Sequence, residues 1–139
     1  MDLDPLSISA SALVAQRARM NVVTENLANA DTTRTPQGGP YRRRKVVFET
    51  QGSAFADLLS GQGGRGVRAM GVVDAQTPLR RVHQPGHPDA DAEGYVSFPN
   101  VNPVMEMVDL MAATRAYEAN VTAIQALKTM VQKALELGR

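Results

Sequence analysis

Leu6–Thr35 and Val104–Leu137 contain neither glycine nor proline, and each follows a residue pair that starts helices. Asp4-Pro5 and Asn102-Pro103 both offer a side-chain acceptor at the cap and a proline in the first turn, where its missing N–H costs nothing. Leu6, Leu13, Met20 and Leu27 fall seven apart, and Val23 and Ala30 follow Met20 and Leu27 at the intermediate place. Leu110, Tyr117, Ile124 and Val131 repeat that spacing, with Met107, Val121 and Leu135 between them. This 3-4 alternation lays one narrow apolar seam along each helix, interrupted by Ser9, Gln16, Thr114 and Lys128. Asn29, Asp31, Thr32 and Thr33 are expected to end the first helix.

Helices of ~40 and ~50 Å are longer than so short a globule needs, which points to a coiled coil or an assembly. Composition agrees. The chain has 139 residues, of which 43% are hydrophobic but only 4% aromatic, so alanine and unbranched side chains supply most of the apolar surface. Such surfaces suit close helix–helix contact better than a thick core. Ala10, Ala12, Ala15, Ala18 and Ala28 coat the first helix, and Ala112, Ala113, Ala116, Ala119, Ala123 and Ala126 the second. A two-helix hairpin buries little surface alone, so neighbours are expected to supply the rest.

Between the helices the chain is rich in turn formers. "TPQGGPYRRRKVVFE" reads as a Gly-Pro turn and a strand over Tyr41–Glu49. "VRAMGVVDAQTPLRRVHQPG" reads as short strands broken by Pro78 and Pro85, and "GYVSFPNV" as another. The Gly-rich run 60–66 is a flexible loop by composition. The expected architecture is mainly α with a small β insertion. The terminal segments 1–33 and 101–139 form an antiparallel coiled-coil-like hairpin, and 34–100 carries short strands and loops.

Little chemistry is on offer. With no cysteine there is no disulfide, zinc-thiolate site or thiol nucleophile. "HPDADAEGYV" resembles the start of a calcium loop, with Asp89, Asp91 and Glu93 alternating before Gly94. The twelfth position is Asn100, where a bidentate acid is needed, and Pro85, Gly86 and Pro88 forbid an entering helix. A tight polar turn is expected there. His83 and His87 flank a Pro-Gly pair and cannot converge on a metal from a helix. The basic run Arg42–Lys45 suggests a solvated edge strand or a contact to an acidic surface. A net charge of +1 makes no electrostatic case for nucleic acid or an anionic membrane. No catalytic motif, cofactor, metal site or small-molecule substrate is expected. The N-terminal "MDLDPLSISASALVAQR" has no unbroken apolar run, so neither membrane insertion nor a cleaved leader is expected.

"SASALVAQRARMNVVTENLANADTTRTPQGGPYRRRKVVFE" resembles the N-terminal signature of bacterial flagellar axial proteins, and the C-terminal "PGHPDADAEGYVSFPNVNPVMEMVDLMAATRAYEANV" resembles their proximal rod members. Residues 50–77 carry no part of the resemblance. On this likeness the family pattern falls on Asn26, Leu27, Ala28 and Asn29; on Gly38, Gly39, Pro40 and Tyr41; on Gly86, His87, Pro88, Asp89, Gly94, Tyr95, Pro99 and Asn100; and on Arg115, Tyr117, Glu118 and Asn120. The resemblance implies a non-enzymatic subunit of the flagellar basal-body rod, which crosses the periplasm and transmits torque. It also implies copies of itself, other rod proteins and the flagellar export apparatus as partners. The competing expectation is a free-standing binding module that uses the acidic turn 89–94 or the basic strand 41–48.

Overall fold

A computed structural model describes residues 4–51 and 66–137. The Gly-rich run 60–66 lies outside the described residues except for Gly66. The element order is α1 (Asp4–Ala28), β1 (Arg44–Thr50), β2 (Val67–Asp74), β3 (Arg80–His83), β4 (Tyr95–Phe98) and α2 (Pro103–Leu137).

α2 starts where the Asn-Pro pair places it. Asn102 Oδ1 accepts from the Val104 and Met105 N–H groups at 3.0 and 3.4 Å, and the Asn102 carbonyl accepts from Glu106 at 3.0 Å. Two of the orphan amides of the first turn are thereby satisfied. α1 ends without a glycine. Asn29 Nδ2 donates back to the Glu25 carbonyl at 2.9 Å, and the Thr32 N–H takes the Asn29 carbonyl at 3.2 Å, so a polar side chain closes the last turn.

The helices pack antiparallel. Asn26 meets Glu106, and Met20 Sδ lies 3.7 Å from the Thr114 hydroxyl. Carried along the pair at equal rise, that register sets Asp4 opposite about residue 128. The last turns of α2 therefore run on past Asp4, and residues 132–137 are all exposed.

Val23 is buried at the contact, and Leu6, Leu13, Met20, Leu27, Leu110, Tyr117, Val121, Ile124 and Val131 are half-buried. The most deeply buried line on α2 is Glu106 and Ala113, both at 0% exposure, whereas Met107 is 47% and Leu135 61% exposed. On a 3.6-residue helix, Glu106 and Met107 flank Leu110 at about 40° and 60° on opposite sides. Asn26 of α1 and Arg43, just before β1, both bond Glu106, which places that side of the line inside. Gln16, a polar interruption of the α1 seam, keeps a buried Oε1 with no hydrogen-bond partner among the described residues.

β1 and β2 form an antiparallel hairpin from Arg44↔Asp74 to Thr50↔Val67, with a register shift between Val47 and Phe48. β3 and β4 form another, from Arg80↔Phe98 to His83↔Tyr95. Strand β1 opens three residues later than the sequence suggests. The Tyr41 N–H is bonded to Thr32 (3.0 Å) and the Arg43 N–H to Asn100 Oδ1 (2.7 Å), so neither amide is free for the ladder. Ala30, Tyr41 and Val101 make a small core cluster where both helices meet the insertion, and Val96 of β4 is fully buried.

Candidate functional site: a polar junction between helices and hairpins

The fully buried large side chains include two that carry polar heads, Asn26 of α1 at 1% exposure and Glu106 of α2 at 0%. Burying such groups is costly unless every valence is met. Here it is. Asn26 Oδ1 accepts from the Tyr41 hydroxyl (2.9 Å) and the Arg44 N–H (2.8 Å), while Nδ2 donates to the Arg44 carbonyl (2.9 Å) and to Glu106 Oε2 (3.0 Å). All four hydrogen bonds open to a primary amide are made.

The other Glu106 oxygen accepts from Arg43 Nε. Arg43 also reaches Asp109 at 3.1 Å, and Arg19 of α1 joins Asp109 at 3.2 Å. Two arginines thus balance two carboxylates across three segments of chain. Next to them Arg44 pairs with Glu25 at 2.7 Å and lies 5.8 Å from the centre of the Tyr41 ring. Burial, reinforced by the negative charge of Glu25, pushes the Tyr41 phenol up to about 12.

Two satellite contacts extend the junction. Asn100 accepts from the Arg43 N–H and donates to the Ala75 and Thr77 carbonyls, which ties the linker after β2 to the run leading into α2. Asp89 accepts from the Thr33 hydroxyl at 2.8 Å and pairs with Arg34 at 2.9 Å, fixing the β3–β4 turn to the end of α1.

The acidic turn spends its carboxylates locally. Asp91 Oδ1 accepts from the Tyr95 N–H at 2.8 Å and the Glu93 N–H at 3.0 Å, and Oδ2 pairs with Arg81. Those bonds, the Tyr95 amide first, hold the Asp91 carboxyl below the usual range. Gly94 takes φ +81°, with His83 Nε2 3.1 Å from where a Cβ would stand. His87 Nδ1 accepts from the Asp89 N–H, and His83 stacks edge-on against Tyr95. No group of three or more metal-ligating side chains gathers among the described residues.

The remaining family-pattern residues are spread over the molecule. Gly38 and Gly39 adopt φ +90° and +76° in the turn closed by Thr35 before Pro40. Gly86 and Pro88 are exposed, and Pro99 is buried. Leu27 is half-buried and Ala28 exposed at the end of α1. On α2, Arg115 and Glu118 face solvent, whereas Asn120 is half-buried and bonded to the Ala116 carbonyl.

α2 also carries a second apolar line. Met105, Val108, Ala112, Ala119, Ala123, Ala126, Met130, Ala134 and Leu137 are all exposed, and Ala116 is half-buried. They follow one another in steps of three, four or seven, so they form a stripe along the whole helix, turned away from α1 and free of charge.

The family resemblance named Asn26, Tyr41 and Asn100, but sequence patterning missed Glu106 and its pairing with Arg43. An acidic residue in a first turn reads as a partner for the helix dipole, and the middle member of an arginine run reads as solvated. The available signal was Glu106 standing four residues before Leu110, on the seam side of α2.

Two long helices flanking a small β insertion define a class. Residues 6–34 match the family model described as "Flagella basal body rod protein", and residues 92–137 match "Flagellar basal body rod FlgEFG protein C-terminal". The flagellar basal-body rod protein FlgC of Bacillus subtilis (strain 168) is 49% identical over 144 residues, covering 96% of each chain. FlgC of Salmonella typhimurium is 44% identical over 99% of this chain and 98% of its own. That of Borreliella burgdorferi is 41% identical over 95% and 94% respectively. The chain belongs to the FlgC family of flagellar basal-body rod proteins.

Proposed function

We propose that this chain is a structural subunit of the flagellar basal-body rod, which assembles with other rod components into an axial tube and transmits torque. The observation that carries this reading is the uncharged stripe on α2, which lies exposed on a flank of the helix away from the buried Glu106–Ala113 line and extends past Asp4. One seam satisfies the partner helix within the chain. The other needs a helix from elsewhere, and small residues let it approach closely. Heterologous contacts of this kind propagate into an open helical tube. Many long helices packed side by side resist twisting, which suits a drive shaft.

In this reading 1–33 and 101–139 form the helical layer of the tube, and 34–100 is an arm held to it through Asn26, Arg43, Glu106 and Asn100. The seam residues named from the sequence act within the subunit, whereas Met107 and Leu135, both exposed, face neighbours. The subunit performs no catalysis, reaches the periplasm-spanning rod through the flagellar export apparatus, and contacts copies of itself as well as other rod proteins.

A free-standing binding module fits less well. The Asp89 and Asp91 carboxylates are engaged by Thr33, Arg34, Arg81 and turn amides, and Arg43 and Arg44 by Glu106, Asp109 and Glu25. The test is Ala119→Arg in a strain whose rod depends on this chain. Ala119 is exposed, so the helix pair is expected to remain intact while swimming is lost. Normal swimming would refute the reading.

A further inference from the structure

We infer that Asn26 and Glu106 form a register lock, which seats the β1–β2 arm on the helices only when α1 and α2 are paired in one alignment.

Asn26 acts as a substitute strand. Its amide bonds both the N–H and the C=O of Arg44, at 2.8 and 2.9 Å, as a neighbouring strand residue would. A primary amide carries two donors on its nitrogen and a separate carbonyl acceptor, so this one side chain can serve both backbone groups and still reach α2. This edge of β1 is therefore closed by a side chain of α1.

The same amide tests the second helix. Its remaining donor goes to Glu106 Oε2, and Glu106 in turn holds Arg43, the residue before Arg44. Arm, α1 and α2 each supply part of one network. A slip of one helical turn, about 5.4 Å, would carry Glu106 out of reach of Asn26 and Arg43 together. Glu106 would then be a buried carboxylate without its partners, which is strongly disfavoured. Small apolar residues such as Ala15 and Ala113, buried at the contact, do not pin an alignment by themselves. A single buried polar contact is a known means of doing so.

The far end of the arm is also matched to α1. The Val67 N–H donates to Ser11 Oγ at 3.1 Å, and a Cβ on Gly66 would stand 2.6 Å from that oxygen. Ser11 and Asn26 are about 22 Å apart along a helix, and Arg44 to Gln51 spans about 23 Å of strand. Gln51 bonds Gly66 at 2.8 Å, so the hairpin lies lengthwise on α1 with both ends held. Arm seating and helix alignment are thus one event. The lock rests on the rod reading only for its consequence, which is that every subunit enters the tube with its arm at the same angle.

The test is a donor–acceptor swap in the full chain. Asn26→Asp sets two carboxylates against each other and loses both amide donors. Adding Glu106→Gln restores the contact, because the new amide can donate to the carboxylate introduced on α1 and still accept from Arg43. The chain has no cysteine, so spin labels at Arg17→Cys and Arg115→Cys, both exposed, report the helix alignment without background. Asn26→Asp is expected to speed amide exchange in 44–50 by about 30-fold and to broaden the label distance by about one turn. The double variant is expected to recover the label distance, whereas exchange in 44–50 recovers only in part, because the carboxylate cannot donate to the Arg44 carbonyl. An unchanged label distance in Asn26→Asp overturns the lock, and so does a double variant no better than the single one or equally unfolded. Swimming of the unlabelled native chain reports on the rod reading separately.

Discussion

Replacing Arg43 by methionine tests whether the junction holds arm and helices together. The substitution keeps most of the side-chain stem and removes the cation facing Glu106 and Asp109. Breaking a fully buried pair from one side costs about 3–5 kcal/mol. Arg43 is 22% and Asp109 34% exposed, so only the Glu106 half of the contact is sheltered from solvent. Glu106 also keeps its hydrogen bond from Asn26. The expected loss is therefore about 2–3 kcal/mol, a shift of roughly 1–2 M in the urea midpoint for a domain of this size. Arg43→Met/Glu106→Gln is expected to be more stable than Arg43→Met alone, because no uncompensated buried charge remains and the Gln carbonyl still accepts from Asn26. Equilibrium unfolding of the three chains, followed by far-UV circular dichroism, measures both differences. An Arg43→Met midpoint within error of the native one would refute the claim that this ion pair is integral to the fold.

The remaining predictions concern the edges of the same junction. The Tyr41 phenol is raised from 10 to about 12, so the folded chain holds its proton more tightly than the unfolded one. That contribution is intact below pH 10 and is lost as pH rises toward about 12. Absorbance titration at the tyrosinate band is expected to show one of the three tyrosines ionising late, and Tyr41→Phe is expected to abolish that late phase. Gly66→Ala would put a Cβ 2.6 Å from Ser11 Oγ at φ +138°. It is expected to cost about 1–3 kcal/mol and to free the adjoining end of the hairpin, as read by amide exchange at Val67 and Gln51.

Helix positions were legible because their signals are local. Proline and a polar cap start α2 at Pro103, and the absence of glycine or proline lets it run to Leu137. β3 lies between Pro78 and Pro85, and β4 follows Gly94. The seam on α2 was legible only in part. Periodicity identifies Leu110, Tyr117 and Ile124, but it cannot say which neighbour of that line is covered, because Asn26 and Arg43, the groups that bond Glu106, come from segments distant in sequence. Arg43 and Glu106 escaped for the same reason. Each is an ordinary surface residue in its own segment, and only the approach of segments 63 residues apart makes them a pair. The acidic turn was readable because Asp91 bonds amides two and four residues ahead of it.

The central claim is that the outward stripe of α2 joins this subunit to its neighbours in the rod. The most direct measurement is the amount of the chain retained in basal bodies purified from cells that carry either the native sequence or Ala119→Arg as the sole copy. Both chains are expected at equal levels in the cell, with the native one present in the rod and the variant absent from it. Equal retention of the variant, or absence of the native chain from basal bodies, would contradict the account.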